Sequence, residues 1–117
     1  MDRGRDPRTV IESHLELRRQ GELEADLDRN YSPDVVFLTG TGIFRGHDGV
    51  RESAAELEYY LKPGSFEYRN VLVDGRMGFL EWHGEGANGE VRDGADSYLV
   101  EDGLIVYQTI HYTVERP

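Results

Sequence analysis

The sequence contains no cysteine, which excludes disulfides, thiolate nucleophiles and cysteine-based metal sites but fits any redox compartment. Basic residues are also scarce, since 13 Lys and Arg stand against 23 Asp and Glu and the net charge is -10. A protein that binds nucleic acid needs lysine and arginine against the phosphates. We therefore expect no nucleic-acid partner and interpret the acidity as favouring solubility.

Long apolar runs are missing as well. No segment approaches the ~20 apolar residues that a membrane-spanning helix needs, so we expect no membrane partner. The opening MDRGRDPR is charged and lacks the apolar stretch of a secretory signal, which predicts a cytoplasmic protein. A G-x-S-x-G elbow is absent, and GTGIFRG at residues 40–46 lacks the P-loop lysine. Nucleophilic hydrolases and P-loop nucleotide binding are therefore unsupported.

The 117 residues suit one domain, which we place at residues 7–117 behind a flexible tail of residues 1–6. Three segments have apolar residues at helical spacing, and in the first of them His14 lies on the apolar stripe with Val10, Ile11 and Leu15. In the second, Leu23, Leu27 and Tyr31 repeat, and Pro33 ends the helix. The three predicted helices are Thr9 to Arg19, Glu22 to about Asn30, and residues 47–61.

The remaining patterns predict strands. Asn-Gly and Asp-Gly pairs supply the positive φ angles of type I′ hairpin turns, and three such pairs in a row predict an antiparallel meander. The turns are Asp74-Gly75, Asn88-Gly89 and Asp102-Gly103. The strands are Val35 to Thr39, Ile43 to Arg45, Phe66 to Val73, Met77 to Ala87, Glu90 to Val100 and Leu104 to Val114. Segregated helices and strands predict an α+β fold, with a ligand cavity between the helices and a curved antiparallel sheet.

One carboxylate stands out in the segment VRDGADSYLVEDGLIVYQTIHY, residues 91–112. With a period of two, Asp96 shares a face with Gly94, Tyr98 and Val100, and that face is otherwise apolar. A carboxylate in an apolar site is driven towards its neutral form, which can donate a hydrogen bond. The alternative is a carboxylate tied to backbone amides or to an arginine such as Arg92.

The order of elements resembles the nuclear-transport-factor-2-like superfamily, a cone of curved sheet wrapped around three N-terminal helices. Three stretches carry the resemblance, which spans residues 8 to 114: GELEADLDRNYSPDVVF at 21–37, FRGHDGVRE at 44–52 and GADSYLVEDGLIVYQ at 94–108. The most similar group by pattern is the SnoaL-like (polyketide-cyclase-like) and ketosteroid-isomerase-like set. The resemblance implies a cone-like α+β barrel, whereas function varies widely within this fold.

The resemblance also implies roles for individual residues. Asp96 matches the aspartic acid of ketosteroid isomerases that hydrogen-bonds a dienolate oxygen. In those enzymes the carboxyl group stays protonated and so can donate. His14 falls on the partner tyrosine, and Tyr31 on a supporting tyrosine whose hydroxyl would contact His14 or Asp96. The isomerase's general base falls near Thr39, which cannot take a proton from carbon.

The expected ligand site follows from these matches. Strand alternation places Leu80 and Trp82 inside. Comparison with the family implies that one face of the last strand lines the cavity, with Val106, Gln108, Ile110 and Tyr112. The other face, with Ile105, Tyr107, Thr109 and His111, is expected to lie on the outer side of the sheet. One of Tyr59 and Tyr60 is expected to face the cavity. The expected ligand-binding residues are Trp82, Tyr98, Gln108, Ile110, Tyr112, Phe37, Thr39, Tyr59 and Leu61.

Two classes of function remain open at this point. The first is an isomerase or cyclase that acts through an enolate on a small polyketide-, terpenoid- or steroid-like carbonyl compound, with Asp96, His14 and Tyr31 as its catalytic residues. The second is a non-catalytic binding or carrier module, or a structural dimer. The outer sheet face carries Leu99 and Tyr107, which favours a homodimer paired sheet to sheet. Glu81, His83 and His111 could hold zinc, but no dense histidine motif is present and we expect no cofactor.

Overall fold

The computed structural model of the chain describes residues 4–62 and 64–117. Within these residues, three helices and six strands follow in the order α1, α2, β1, β2, α3, β3, β4, β5, β6, which confirms an α+β fold. Their bounds are α1 Pro7–Arg19, α2 Leu23–Asn30, β1 Tyr31–Thr39, β2 Gly42–Arg45, α3 Gly46–Tyr60, β3 Glu67–Asp74, β4 Met77–Gly86, β5 Gly89–Glu101 and β6 Leu104–His111.

The first helix begins at a clear capping signal. The Asp6 carboxylate accepts a hydrogen bond from the Thr9 amide at 2.8 Å, and Pro7 occupies the first turn, where a missing N–H costs nothing. The predicted stripe is confirmed, since all four of its residues are buried. Of the predicted flexible tail, residues 1–3 lie outside the described residues, while Arg5 donates hydrogen bonds to Asn30 and to two backbone carbonyls.

The second helix ends at Asn30 as predicted, but Pro33 is not what ends it. The helix ends at Asn30 and β1 begins at once with Tyr31, so the chain is extended before it reaches Pro33. The buried face of α2 consists of Asp26, Leu27 and Asn30. Two polar residues therefore share the buried stripe with a leucine, which apolar spacing alone does not reveal.

The six strands form one curved, open sheet in the order β2-β1-β6-β5-β4-β3. The predicted meander from β3 to β6 is antiparallel throughout, but β1 and β6 pair in parallel. The prediction of a wholly antiparallel sheet was therefore wrong at this pair. Hairpin signals fix the direction only of strands joined by a tight turn, and β1 reaches β6 through α3 and four intervening strands.

Only one of the three predicted type I′ turns is confirmed. Asp102 and Gly103 have φ angles of 51° and 77° between the paired residues Glu101 and Leu104. In the first hairpin the turn is Gly75-Arg76, with positive φ at the glycine alone. In the second, the strands pair at Gly86 and Gly89, so the turn is shifted back by one residue and has no positive φ.

A β-bulge changes the predicted faces of β6. Leu99 pairs with Tyr107, but Val100 pairs with Ile105, so the strand carries one extra residue, Val106. Ile105 is consequently fully buried and Val106 only half-buried, the reverse of the prediction for these two positions. Beyond the bulge the prediction holds, because Gln108 is buried and Tyr107 is 54% exposed.

The convex face of the sheet carries a row of exposed apolar side chains on neighbouring strands. Strand register places Met77 beside Leu99, Leu99 beside Tyr107, and Leu72 beside Phe79. Exposed fractions reach 57% for Leu72 and 62% for Met77. Within the described residues, none of the helices has the length and apolar character needed to cross a membrane.

Candidate functional site

The concave face of the sheet and the helices α1 and α3 border a half-open cavity of about 60 Å³. This volume is small beside the roughly 300–1,000 Å³ of common ligand pockets. Its walls are mainly apolar and aromatic, and polar groups converge at its floor on β5 and β6. The lining residues are His14, Leu15, Arg18, Tyr31, Phe37, Val50, Ser53, Ala54, Leu57, Phe66, Tyr68, Leu80, Trp82, Asp96, Tyr98, Gln108 and Ile110.

Asp96 lies at the floor of this cavity and is only 5% exposed. Its Oδ1 accepts a hydrogen bond from Trp82 Nε1 at 2.8 Å. Its Oδ2 lies 3.1 Å from Gln108 Nε2, which donates to it, and 3.2 Å from the Tyr98 hydroxyl. The alternative of an arginine partner is wrong, because Arg92 is exposed and pairs with a glutamate on its own strand.

Burial determines the acidity of Asp96. Removal from water raises the pKa of its carboxyl group from 3.8 to about 6, against the opposing effect of its hydrogen-bond donors and of His14. Below about pH 6 the group is mainly neutral and can donate a hydrogen bond. Above that pH it is mainly ionised and can accept a proton.

A glycine makes room for the indole that holds Asp96. Gly94 on β5 is paired directly with Trp82 on β4, and the indole lies over the glycine. A β-carbon built at position 94 would stand 2.3 Å from Trp82 Cε2, far inside the contact distance. Gly94 therefore lets the indole lie flat on the sheet, where its N–H points at the carboxylate two residues along the strand.

His14 is held on the other side by a carboxylate that the sequence analysis did not single out. Asp26 on α2 is fully buried, and its Oδ2 lies 2.7 Å from His14 Nδ1. Asp26 Oδ1 accepts from Asn30 Nδ2 at 2.8 Å, and Asn30 Oδ1 accepts from Arg5. Because a carboxylate only accepts, Nδ1 carries the hydrogen and Nε2 is left with a lone pair.

Tyr98 connects the two halves of the network. Its hydroxyl lies 3.2 Å from His14 Nε2 and 3.2 Å from Asp96 Oδ2, and burial raises the pKa of this phenol well above its usual value. The hydroxyl has one hydrogen to donate, so both contacts are hydrogen bonds only when a further proton lies on His14 Nε2 or on Asp96. The buried chain Asp26–His14–Tyr98–Asp96, called the relay below, is therefore fully hydrogen-bonded only while it holds one shared proton.

Tyr31 is buried and in the cavity, but its hydroxyl has a different partner from the one predicted. It donates a short hydrogen bond to Gln108 Oε1 rather than to His14 or Asp96. Gln108 in turn donates to Asp96, so Tyr31 fixes the orientation of that amide. The Tyr31 ring also meets the His14 ring edge-on, with centroids 5.5 Å apart.

The other predicted ligand-binding residues divide between two places. Phe37, Trp82, Tyr98, Gln108 and Ile110 line the cavity. Three others instead line an open groove of about 490 Å³ near the β1–β2 turn, and Ile110 borders both spaces; they are Thr39, Tyr59 and Tyr112. Leu61 is buried in the core and lines neither space. Neither Tyr59 nor Tyr60 reaches the cavity, since both border the groove and Tyr59 is 66% exposed.

Metal-ligand geometry is not found in residues 4–62 and 64–117, where no three His, Asp or Glu side chains converge. Two charged residues of the site were not singled out in the sequence analysis: Arg18 lines the cavity, and Asp26 lies outside its lining and holds His14. Asp26 follows Leu23 by three residues and precedes Asn30 by four, so a polar pair at helical spacing was its available signal. Arg18 follows His14 by four residues and thus shares its helix face.

The comparisons with known proteins agree with this architecture. Residues 11–108 match the family model of the SnoaL-like domain. The chain belongs to the SnoaL-like family. Among curated proteins, no relative matches this SnoaL-like chain.

Solved structures share the SnoaL-like fold at low sequence identity. A nuclear-transport-factor-2-like protein of unknown function from Burkholderia xenovorans LB400 has a TM-score of 0.74 at 18% identity, over 94% of this chain and 86% of the other. A polyketide cyclase candidate from Sinorhizobium meliloti has a TM-score of 0.70 at 16% identity, over 87% of this chain and 93% of the other. TerC, co-crystallised with polyporic acid, has a TM-score of 0.68 at 20% identity, over 90% of this chain and 89% of the other.

Proposed function

We propose that this SnoaL-like protein catalyses proton transfer through an enolate on a small carbonyl compound, as an isomerase or an aldol-type cyclase. The observation that carries the proposal is the relay, a buried chain of acid, imidazole, phenol and acid that ends in an apolar cavity. Groups with such opposed environments can act as acid and base within one site.

Asp96 is the acid in this proposal. In its neutral form it donates a hydrogen bond to the carbonyl oxygen of the ligand while that oxygen gains negative charge. Trp82 and Gln108 hold the carboxyl group from two sides, so that it meets the ligand without reorganising. Burial raises the pKa of Asp96 to about 6, which keeps the donor form accessible near neutral pH.

His14 is the base. Asp26 accepts from Nδ1 and thereby presents the Nε2 lone pair towards Tyr98 and the cavity. The C–H bond next to the carbonyl breaks, and its proton passes to Nε2 directly or by way of the Tyr98 hydroxyl. The electron pair of that bond moves into the enolate, whose oxygen is held by Asp96. A base in this arrangement contributes typically about 10²–10⁴-fold to the rate.

Two further observations bear on the ligand. Related folds include a polyketide cyclase candidate and a protein crystallised with polyporic acid, which favours carbonyl chemistry. The cavity of about 60 Å³ favours a ligand smaller than a polycyclic one, with any larger part lying in the groove beyond Ile110.

A non-catalytic binding module is the second candidate, and two observations favour it. Asp96 already has three hydrogen-bonding neighbours in the protein, as a carboxyl group that only anchors a ligand would. The isomerase-like base position is held by Thr39, which lies in the groove and not in the cavity.

Exchange of α-protons separates these two candidates. Cyclopentanone or cyclohexanone is incubated with the protein in D₂O, and loss of the α-proton signals is followed by NMR. We expect exchange with the wild type, a loss of about 10²-fold or more in Asp96→Asn and in His14→Gln, and no change in Asp34→Asn, an exposed aspartate on β1. Ligand-induced shifts without exchange in any variant would leave the binding module.

We also propose that two copies pair through the convex face of the sheet. The row of exposed apolar residues on β3 to β6 supports this, because monomeric proteins seldom expose contiguous apolar patches of this kind. A two-fold contact of a surface with itself is also the commonest form of oligomer.

A further inference from the structure

Arg18 brings a positive charge to the wall of the cavity. It lies on α1 one turn after His14, and its side chain is only 13% exposed. A guanidinium carries five N–H donors in a rigid fork and stays charged at any working pH. A largely buried cation is stabilised by the acceptors around it, so its partners decide what it can still bind.

Among the described residues, Arg18 has one ion-pair partner and no hydrogen-bond acceptor. The nearest carboxylate oxygen, Glu58 Oε2, stands 3.7 Å from Arg18 NH1, beyond hydrogen-bond distance, and the glutamate is 40% exposed. Within residues 4–62 and 64–117 the Arg18 side chain donates no hydrogen bond. Arg51, although more exposed, donates to two carboxylates at 2.7–2.8 Å, and Arg5 donates three hydrogen bonds. Arg18 therefore has donors free for a ligand in the cavity.

The chemistry of the cavity selects the kind of anion. A carboxylate matches the guanidinium fork with two parallel N–H···O bonds and brings a single charge. A phosphate would bring a second negative charge into the cavity that the buried Asp96 already lines. Because the cavity is small, the ligand can have only a few atoms between its two polar ends.

We propose that the cavity binds a small oxo-carboxylate, with its carboxylate on Arg18 and its oxo group at Asp96. The placement of the oxo group rests on the proposed function, whereas the placement of the carboxylate rests on Arg18 alone. Arg18 thus determines specificity, and Asp96 with His14 determines the chemistry.

Trp82 makes the proposal measurable. It is the single tryptophan of the chain, lines the cavity and donates to Asp96, so its emission reports on occupancy. The probes are pyruvate, acetoacetate and levulinate, which differ in the spacing of the two groups, and the methyl ester of each. We expect at least one acid to bind the wild type about 10-fold or more tightly than its ester, as hydrogen bonds to a charged group contribute about 1.5–3 kcal/mol.

The variants assign that preference to a residue. In Arg18→Gln the acid should bind as weakly as its ester, while the ester keeps its wild-type affinity. Arg29→Gln removes the same charge from the exposed last turn of α2 and should change neither. Equal binding of acid and ester by the wild type, for all three spacings, would overturn the proposal and needs no variant. So would an acid preference that persists in Arg18→Gln.

The α-proton exchange assay keeps the two proposals apart. Arg18-dependent binding of an oxo acid that never exchanges its α-protons would remove the enolate function and leave the carboxylate site. If α-protons exchange as fast in cyclopentanone as in every oxo acid, the enolate function stands and the proposed role of Arg18 is refuted.

Discussion

Replacement of Asp26 by asparagine tests how the relay is organised, because the two side chains have the same shape. In the wild type, both oxygens of Asp26 accept hydrogen bonds, one from His14 Nδ1 and one from Asn30 Nδ2. In Asp26→Asn the oxygen must still face Asn30, so the new amide N–H₂ faces His14 Nδ1. A donor at that place requires Nδ1 to accept, and the ring hydrogen moves to Nε2.

The change of tautomer reaches Asp96 through Tyr98. With a hydrogen on His14 Nε2, the phenol accepts from the imidazole and donates its own hydrogen to the carboxylate. Every contact is then satisfied with Asp96 ionised and without the shared proton. We therefore expect the pKa of Asp96 to fall below its wild-type value of about 6 and the His14 base to be lost.

The expected magnitudes follow from the bonds that change. Two charge-assisted hydrogen bonds become neutral ones, and the typical contributions of about 1.5–3 and about 0.5–1.5 kcal/mol give a loss of stability of about 2 kcal/mol. The rate of α-proton exchange should fall about 10²–10⁴-fold, the usual contribution of a positioned base.

Nitrogen NMR of ¹⁵N-histidine-labelled protein reads the tautomer directly. The His14 signals should show Nδ1–H in the wild type and Nε2–H in Asp26→Asn, with urea unfolding giving the stability difference. Asp28→Asn, on the exposed face of the same helix, is the matched control and should leave the tautomer unchanged. The same His14 tautomer in the wild type and in Asp26→Asn would refute the reasoning.

Three further outcomes are expected. Gly94→Ala should lower the free energy of unfolding by about 1–3 kcal/mol and shift the emission of Trp82. Gly40→Ala should do neither, because no atom lies within 4 Å of its β-carbon. Denaturation curves of the two variants measure the stability, and fluorescence spectra measure the emission. Burial raises the pKa of Asp96 from 3.8 to about 6, so folding favours the neutral carboxyl group. The stability of the wild type relative to Asp96→Asn should therefore be greatest below pH 4 and fall by about 3 kcal/mol as the pH rises through 6. Urea unfolding across that pH range measures the difference. Tyr107→Lys should dissociate the proposed dimer in analytical ultracentrifugation, and a wild type that sediments as a monomer would remove that proposal.

Patterns with a period carried most of the fold prediction. The apolar stripe of α1 and the alternation along β5 located the buried faces correctly, so that His14 and Asp96 were both placed inside. The bulge at Val106 was not predictable, because an extra residue in one strand leaves no trace in the alternation until the partner strand is known. The parallel β1–β6 pair was likewise decided by long-range packing.

The candidate site was predicted less completely than the fold. Asp96 was visible as the one acid on an apolar strand face, but Asp26 lies in a helix rich in acids, where a buried carboxylate looks like its exposed neighbours. The hydrogen-bond partners of Tyr31 and Tyr98 depend on distances across the sheet, which spacing along one strand does not contain. Arg18 followed the same pattern, since only the fold shows that its guanidinium lies in the cavity.

In the proposed mechanism, Asp96 at the cavity floor stabilises an oxyanion. A titration with phenols of graded acidity, followed by the emission of Trp82, tests it most directly, because a phenolate imitates the charge of an enolate. We expect binding to strengthen as the phenol becomes more acidic and this dependence to be lost in Asp96→Asn. Affinity that ignores phenol acidity, or that survives unchanged in Asp96→Asn, would contradict it.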